Sequence, residues 1–236
     1  MSMLLQMKLH AKRTLPNLWR RSIKTIDLSE PHLWYGEARL LKRNIICHVG
    51  GTNSGKTYTA LSSLAAANNG IYCGPLRLLA WEVYETLTSR GVKCSLVTGQ
   101  EKELAESGTH ISCTVEMADL RRTFDVAVID EVQLLGDESR GWAWTQAFLG
   151  LQAREIHLCG SPSFVPIITA LCALTNDTIT IKKYSRLTPL TVSAKSLRSF
   201  KNVEPGDCVI GFGRKHLYET KNAIESVNPG LRCSVI

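Results

Sequence analysis

No apolar run in this 236-residue chain approaches the roughly 18 residues that a membrane-spanning helix needs, and the longest, Phe164 to Leu174, contains Pro166. A membrane span is excluded on length. Cysteine pairs are missing as well: Cys47, Cys73, Cys94, Cys113, Cys159, Cys172, Cys208 and Cys233 are scattered without a C-x-x-C spacing, most of them inside apolar strand-like runs. That argues against zinc ligands and against a disulfide framework, and it fits reduced core cysteines of an intracellular protein. There is no internal repeat and no low-complexity tract, which removes solenoids and disordered tails. Acidic residues are absent before Asp27, while Lys8, Lys12, Arg13, Arg20, Arg21 and Lys24 precede it. This is the charge signature of a mitochondrial transit peptide, with Leu and Met residues able to line one helical face as far as Pro16; a basic surface arm is the alternative.

What the chain does have is a core and an excess of positive charge. Hydrophobic residues make up 44% of it, enough for a packed α/β domain. The formal net charge of +7 favours a polyanionic partner such as RNA or DNA, although the basic N-terminus accounts for part of it.

The sharpest motif is Gly50-Gly51-Thr52-Asn53-Ser54-Gly55-Lys56-Thr57, which fits G-x-x-x-x-G-K-[ST] and follows the apolar run Ile45 to Val49. A strand feeds a phosphate loop, and the loop feeds a helix. Backbone N–H groups can cradle a nucleoside triphosphate only where bulky side chains stand back, which is the use of Gly50 and Gly55. Lys56 reaches the β and γ phosphates, Thr57 ligates Mg²⁺, and the helix presents its positive end to the anion. A second element is Val126 to Ile129, a short buried strand that ends in Asp130-Glu131-Val132-Gln133. Adjacent carboxylates there call for a cation: Asp130 holds the Mg²⁺ shell and Glu131 orients and deprotonates the attacking water, with Gln133 counted among the catalytic residues.

Along the chain, short apolar runs alternate with helical stretches, as in βαβ units. Strands are expected at Ile45 to Val49, Ile71 to Cys73, Ser95 to Thr98, His110 to Thr114, Val126 to Ile129 and Glu155 to Cys159. Helices are expected at Lys56 to Ala67, Leu76 to Ser89, Gly141 to Gln152 and Phe164 to Leu174. The expected fold is α/β: a RecA-like P-loop NTPase lobe with a mainly parallel sheet, plus the start of a second RecA-like lobe. Its divisions are a basic segment over 1–35, the first lobe over 36–182, a connector over 183–203 and a truncated second lobe over 204–236. A connector strand is expected around Thr178 to Ser193, and the second lobe should begin with a strand at Cys208 to Phe212, a helix at Lys215 to Val227 and a further strand at Cys233 to Ile236. His48 and His157 read as satisfied core histidines, and Trp142 and Trp144 as packing residues. Trp34 and Tyr35 either flank an adenine or pack under the sheet.

With those motifs in place, Tyr72 to Ala80, Val97 to Glu101, Cys113 to Met117 and Arg140 to Thr145 closely resemble the suppressor-of-var family of mitochondrial ATP-dependent RNA helicases, of the DExH type. The resemblance runs from about Asp27 to the last residue. It implies ATP hydrolysis coupled to RNA unwinding, in partnership with an exoribonuclease of the mitochondrial degradosome, in the matrix or, as a second compartment, the nucleus. It also implies RNA contacts at Pro75 and Arg77, at Thr98 and Gly99, and at Thr114, Val115 and Glu116. Gly160-Ser161-Pro162 would couple hydrolysis to strand handling. Backbone amides, short hydroxyls and a guanidinium at strand ends suit sequence-independent phosphate contacts.

Two departures stand against that family. Gly51 occupies a position where the family has proline, which the loop tolerates because the backbone amides remain. The second lobe stops after one strand and helix, before the arginine-rich motif that completes ATPase sites in this superfamily. A missing arginine finger costs about 10³ to 10⁵ in turnover. The alternative expectation is therefore a catalytically weak ATP- and RNA-binding regulatory module.

Overall fold

β-Branched and small apolar residues dominate the central strands because these are covered on both faces. The computed structural model describes residues 30–236, so the expected basic N-terminal segment lies almost wholly outside the described residues. The chain divides into two compact units between Thr188 and Pro189, inside the stretch expected as connector.

The first unit is an eight-stranded sheet of order β4-β3-β5-β2-β6-β7-β1-β8. Its strands are β1 (Asn44–Gly50), β2 (Gly70–Gly74), β3 (Cys94–Val97), β4 (Lys102–Glu103), β5 (His110–Thr114), β6 (Thr123–Ile129), β7 (Gln152–Gly160) and β8 (Thr178–Tyr184). Every pairing is parallel except β3 with β4. The mainly parallel sheet expected of a RecA-like lobe is present.

The helices of this unit are α1 (Gly36–Leu40), α2 (Lys56–Ala66), α3 (Arg77–Ser89), α4 (Gly141–Gly150) and α5 (Val165–Thr175). Alternation along the strands sorts them into two layers. Ile45, Cys47, Val49, Ile71, Cys73, Ala127, Ile129, Ile156 and Leu158 share a core with Trp144 and Phe148 of α4 and Ile168 and Cys172 of α5. The intervening Tyr72, Val126, Val128 and Cys159 pack with Ala60 and Leu64 of α2 and Val83 and Leu87 of α3. The buried positions recur at helical spacing, Lys56, Ala60 and Leu64 on α2 and Ala80, Val83 and Leu87 on α3, so each helix seals one face. α4 is apolar nearly all round and is the most deeply buried of them.

Two expectations need correction. Thr178 to Tyr184 is not a connector: its alternating residues pair in register with β1, Asn44 opposite Thr178 through Gly50 opposite Tyr184, and make it the edge strand of the sheet. In the second unit, neither Cys208 to Phe212 nor Cys233 to Ile236 is a strand. A strand needs a ladder partner, and these segments line a cavity of about 540 Å³ beside α6 (Arg214–Val227) without pairing. Ile210 and Phe212 are exposed.

Buried polar groups fasten β1 and β8 into the first unit. Arg43 is fully buried; its Nε and Nη2 donate to the two carboxylate oxygens of Asp177 at 3.0 and 2.5 Å, and its Nη1 donates to the carbonyls of Phe148 and Leu151 at 2.7 and 3.3 Å. His48 and His157 are the satisfied core histidines expected. Tyr184 Oη, His48 Nδ1 and Nε2, His157 Nδ1 and Nε2, and Glu155 Oε1 form one chain of contacts of 2.8, 2.7 and 2.6 Å across β8, β1 and β7. One set of neutral tautomers satisfies it, with each group donating toward Glu155. Burial, then the neighbouring His157 and Lys182, drives the His48 pKa down to about 4.

Asp177→Ala would leave the Arg43 guanidinium buried without its counter-charge, so it should lower unfolding stability by about 3–5 kcal/mol. Urea unfolding of the 236-residue chain measures this; a loss below about 1 kcal/mol would mean that the two carbonyls alone satisfy Arg43.

Candidate nucleotide and nucleic-acid site

Parallel pairing brings the C-terminal ends of six strands to one edge of the sheet. In spatial order β3-β5-β2-β6-β7-β1, that edge carries Thr98-Gly99, Thr114 to Glu116, Pro75 to Arg77, Asp130-Glu131, Gly160 to Pro162 and the phosphate loop. The three segments expected to touch RNA are thus neighbours, and the three expected to handle the nucleotide are neighbours beside them.

The phosphate loop is held by its own contacts and by a strap. Gly55, at φ 78°, sits in the left-handed region that favours glycine and caps α2. Lys56 is buried, and its Nζ turns back across the loop to within 3.2 Å of the Gly51 carbonyl, which also accepts from Ser54 Oγ at 2.9 Å. The strap follows β8. Arg186 Nη1 donates to Thr52 Oγ1 at 2.6 Å, Asn53 Nδ2 donates to Thr188 Oγ1 at 2.6 Å, and the Leu187 amide donates to the Asn53 carbonyl at 2.8 Å. A Cβ on Gly50 would lie 2.7 Å from the Tyr184 carbonyl oxygen, so only glycine lets the strap approach this closely.

Asp130 is buried and fully engaged. Its Oδ2 accepts from the Tyr72 hydroxyl at 3.1 Å, its Oδ1 from the Glu131 amide at 2.9 Å, and its carbonyl from Trp144 Nε1 at 2.9 Å. Burial is the main cause of a pKa raised above the usual carboxylate range; the Glu131 carboxylate adds to the rise, while the Glu131 amide, Tyr72 and Lys56 oppose it. A divalent cation would reverse that balance. Thr57 and Asp130 offer one hydroxyl and one carboxylate, and among the described residues no group of three or more His, Cys, Asp or Glu could cage an ion. Such a sparse oxygen set fits Mg²⁺, which keeps several waters and takes the rest of its shell from phosphates.

Glu131, a non-glycine residue, has φ 50° and ψ 46°. Such left-handed strain clusters at functional sites. Its carboxylate accepts from Gln133 Nε2, and Gln133 Oε1 accepts from the Ser161 amide at 3.1 Å. Gln133 therefore ties the candidate general base to the segment Gly160-Ser161-Pro162.

Among the expected RNA residues, Arg77 is exposed and bonds Gln100 Oε1, and Gly99 is exposed beside it. Thr98 and Thr114 are buried, and Thr98 Oγ1 accepts from the Glu101 amide at 3.0 Å. Val115 is in the core, so its side chain anchors the loop from inside. Pro75 is buried, and Glu116 is half-buried against Arg140.

Trp144 packs in the core as expected, yet its indole N–H also supports Asp130. Tyr35 lies against Gly150, at the end of α4 that leads into the start of β7, away from the phosphate loop. Its role is packing. Sequence reasoning missed Tyr72, Arg140, the Trp144 donor, Arg186 and Thr188. Tyr72 could have been found from its inclusion in a strand next to the acidic one, but the strap carries no motif.

The family description "DEXQ-box helicase domain of Suv3" matches residues 31–184. The chain is 50% identical over 215 residues to the mitochondrial DExH-box ATP-dependent RNA helicase DExH18 of Arabidopsis thaliana, covering 91% of this chain and 28% of the relative. It is 49% identical over 210 residues to the mitochondrial ATP-dependent RNA helicase SUV3 of Oryza sativa subsp. japonica, covering 89% and 36%. It is 45% identical over 233 residues to the mitochondrial ATP-dependent RNA helicase SUPV3L1 of Gallus gallus, covering 96% and 29%. The chain thus spans about a third of the length of these curated relatives.

Because burial raises the Asp130 pKa above its unfolded value, the stability this carboxyl contributes is fully present in acid and is lost as pH rises through its folded pKa. Asp130→Asn should therefore stabilise the chain at neutral pH, by about 0.5–2 kcal/mol, while the gain disappears in acid. Unfolding midpoints of both proteins across pH 3 to 8 measure it; a variant less stable than wild type at neutral pH would mean that the carboxylate is stabilising where it stands.

Proposed function

Because the chain belongs to the Suv3 family of DEXQ-box helicases, we propose that it supplies the ATP-binding and RNA-binding lobe of an ATP-dependent RNA helicase. The observation that carries this reading is the order along the sheet edge, with three candidate RNA loops beside three nucleotide-handling segments.

The amides of Gly50 to Thr57 cradle the ATP phosphates, and Lys56 leaves the Gly51 carbonyl for them. Thr57 and Asp130 would hold Mg²⁺, which when bound would supply positive charge to offset that of the phosphates. Glu131 orients and deprotonates the attacking water. Gln133, bonded to both Glu131 and Ser161, transmits the change at that carboxylate to the Gly160 to Pro162 segment. Arg77 and Gly99, both exposed, face the RNA backbone, where contacts to phosphate and sugar read no sequence. We assign the helicase to the mitochondrial matrix, consistent with relatives named mitochondrial, and to partnership with an exoribonuclease, which needs the single strand that unwinding yields.

The test measures ATP binding, turnover and single-stranded RNA binding by the 236-residue chain. Lys56→Ala should weaken ATP binding about tenfold to a hundredfold through loss of charge-assisted bonds to phosphate. Glu131→Gln should bind ATP like wild type and cut whatever turnover exists by about 10² or more. Unchanged ATP affinity in Lys56→Ala would remove the phosphate loop from the mechanism.

RNA affinity should fall steeply between 50 and 200 mM salt, with little preference among sequences. Filter binding with homopolymer and mixed oligonucleotides reads this, and sequence-specific, salt-insensitive binding would sink the reading.

A further inference from the structure

Arg140 lies just before α4, outside the nucleotide motifs, yet its guanidinium is shared by both sets of loops. Nε and Nη2 each lie 2.8 Å from Glu116 Oε1, and Nη2 also donates to the Pro75 carbonyl at 2.7 Å. The guanidinium carbon stands 5.3 Å from the centre of the Trp144 ring. Trp144 in turn donates its Nε1–H to the carbonyl of Asp130 at 2.9 Å. Two candidate RNA loops and the end of β6 are thus joined through one cation–π pair, with hydrogen bonds at either end of it.

The arrangement needs arginine. A planar fork can bond a carboxylate and a carbonyl in its plane while lying over an indole; an ammonium on a flexible stem is a point charge with no face to stack. The backbone of Arg140 is fixed as well: its amide donates to Asp137 Oδ1 at 2.7 Å, the Gly141 amide donates to the Asp137 carbonyl at 3.0 Å, and Asp137 directly follows the 3₁₀ turn Val132–Gly136, which contains Gln133. The side chain retains 40% exposure, so a phosphate can reach it.

Resting on the reading above, we propose that Arg140 is the positioning residue through which bound RNA is sensed at the nucleotide site. An RNA phosphate settling on the Pro75 and Glu116 loops competes for a guanidinium already divided between a carboxylate and a carbonyl. Displacement of the fork shifts the Trp144 indole beneath it. The Asp130 carbonyl, held by that indole, moves with it, and with it the carboxyl that holds Mg²⁺. RNA and nucleotide affinities are then coupled, and the coupling is reciprocal.

The experiment measures the affinity of the 236-residue chain for a Mg²⁺-loaded non-hydrolysable ATP analogue, with and without saturating oligouridine. Wild type should bind the analogue at least about fivefold more tightly with RNA than without. Arg140→Lys, which keeps the charge facing Glu116 but loses the fork over the indole, should reduce that ratio to near one because analogue affinity without RNA moves toward its RNA-bound value, while the melting temperature holds. Arg140→Gln, which keeps a planar donor without charge, should give the same loss of coupling. A ratio unchanged from wild type in both variants overturns the proposal. So does a fall in melting temperature with both affinities reduced in proportion, which is what a purely structural arginine would give. Wild type that binds both ligands with a ratio of one also overturns it and leaves the proposed function standing, whereas wild type that binds neither ligand overturns the proposed function itself.

Discussion

Parallel strand pairing is the constraint on which everything else in the first unit depends. A parallel ladder requires every strand to return to the same starting side, so its C-terminal ends accumulate along one edge. Candidate segments drawn from residues 50 to 162 become neighbours although long stretches of chain separate one segment from the next. The crossover helices that make the return possible also seal both faces, and this is why the strands are apolar on both sides and the chemistry is confined to the edge.

At that edge the structure tolerates groups that cost stability. Asp130 is buried with a raised pKa, and Glu131 adopts a left-handed backbone. Both are sustained by neighbours with no spare freedom: Tyr72 and Trp144 hold Asp130, and Gln133 holds Glu131 against Ser161. Buried ionic groups far from the edge behave differently. Arg43 and Asp177 meet in a paired geometry with every nitrogen of the forked end engaged, and they fasten the start of β1 to the turn before β8.

Much of this was legible in the sequence because it depends on local pattern. The phosphate loop, the Asp-Glu strand and the strand at His110 to Thr114 announce themselves through glycine spacing or apolar runs flanked by polar turns. The helices at Lys56 and Gly141 begin where expected. What stayed hidden depends on distant partners. Thr178 to Tyr184 alternates like any exposed strand, and only its register with β1 shows that it closes the sheet. Cys208 to Phe212 has strand composition, yet composition without a partner makes no ladder. Arg140, in a polar stretch before a helix, looks like a solvated charge; its fork over Trp144 follows from a fold that brings residues 75, 116 and 140 together. Val115, expected at the RNA, places its side chain in the core and anchors its loop from inside.

The strap on the phosphate loop has a consequence for the order in which the protein is made. β1 emerges from the ribosome early, but its two neighbours in the sheet are β7 and β8, and Arg186 to Thr188 clasp Thr52 and Asn53. The loop that carries the most recognisable motif of the chain therefore waits, unbraced, until β7, β8 and the strap have been synthesised. A nascent chain halted before β8 has every residue of the motif and lacks the scaffold that shapes it, so the braced form of the loop comes with the last strand of the sheet and not with the first.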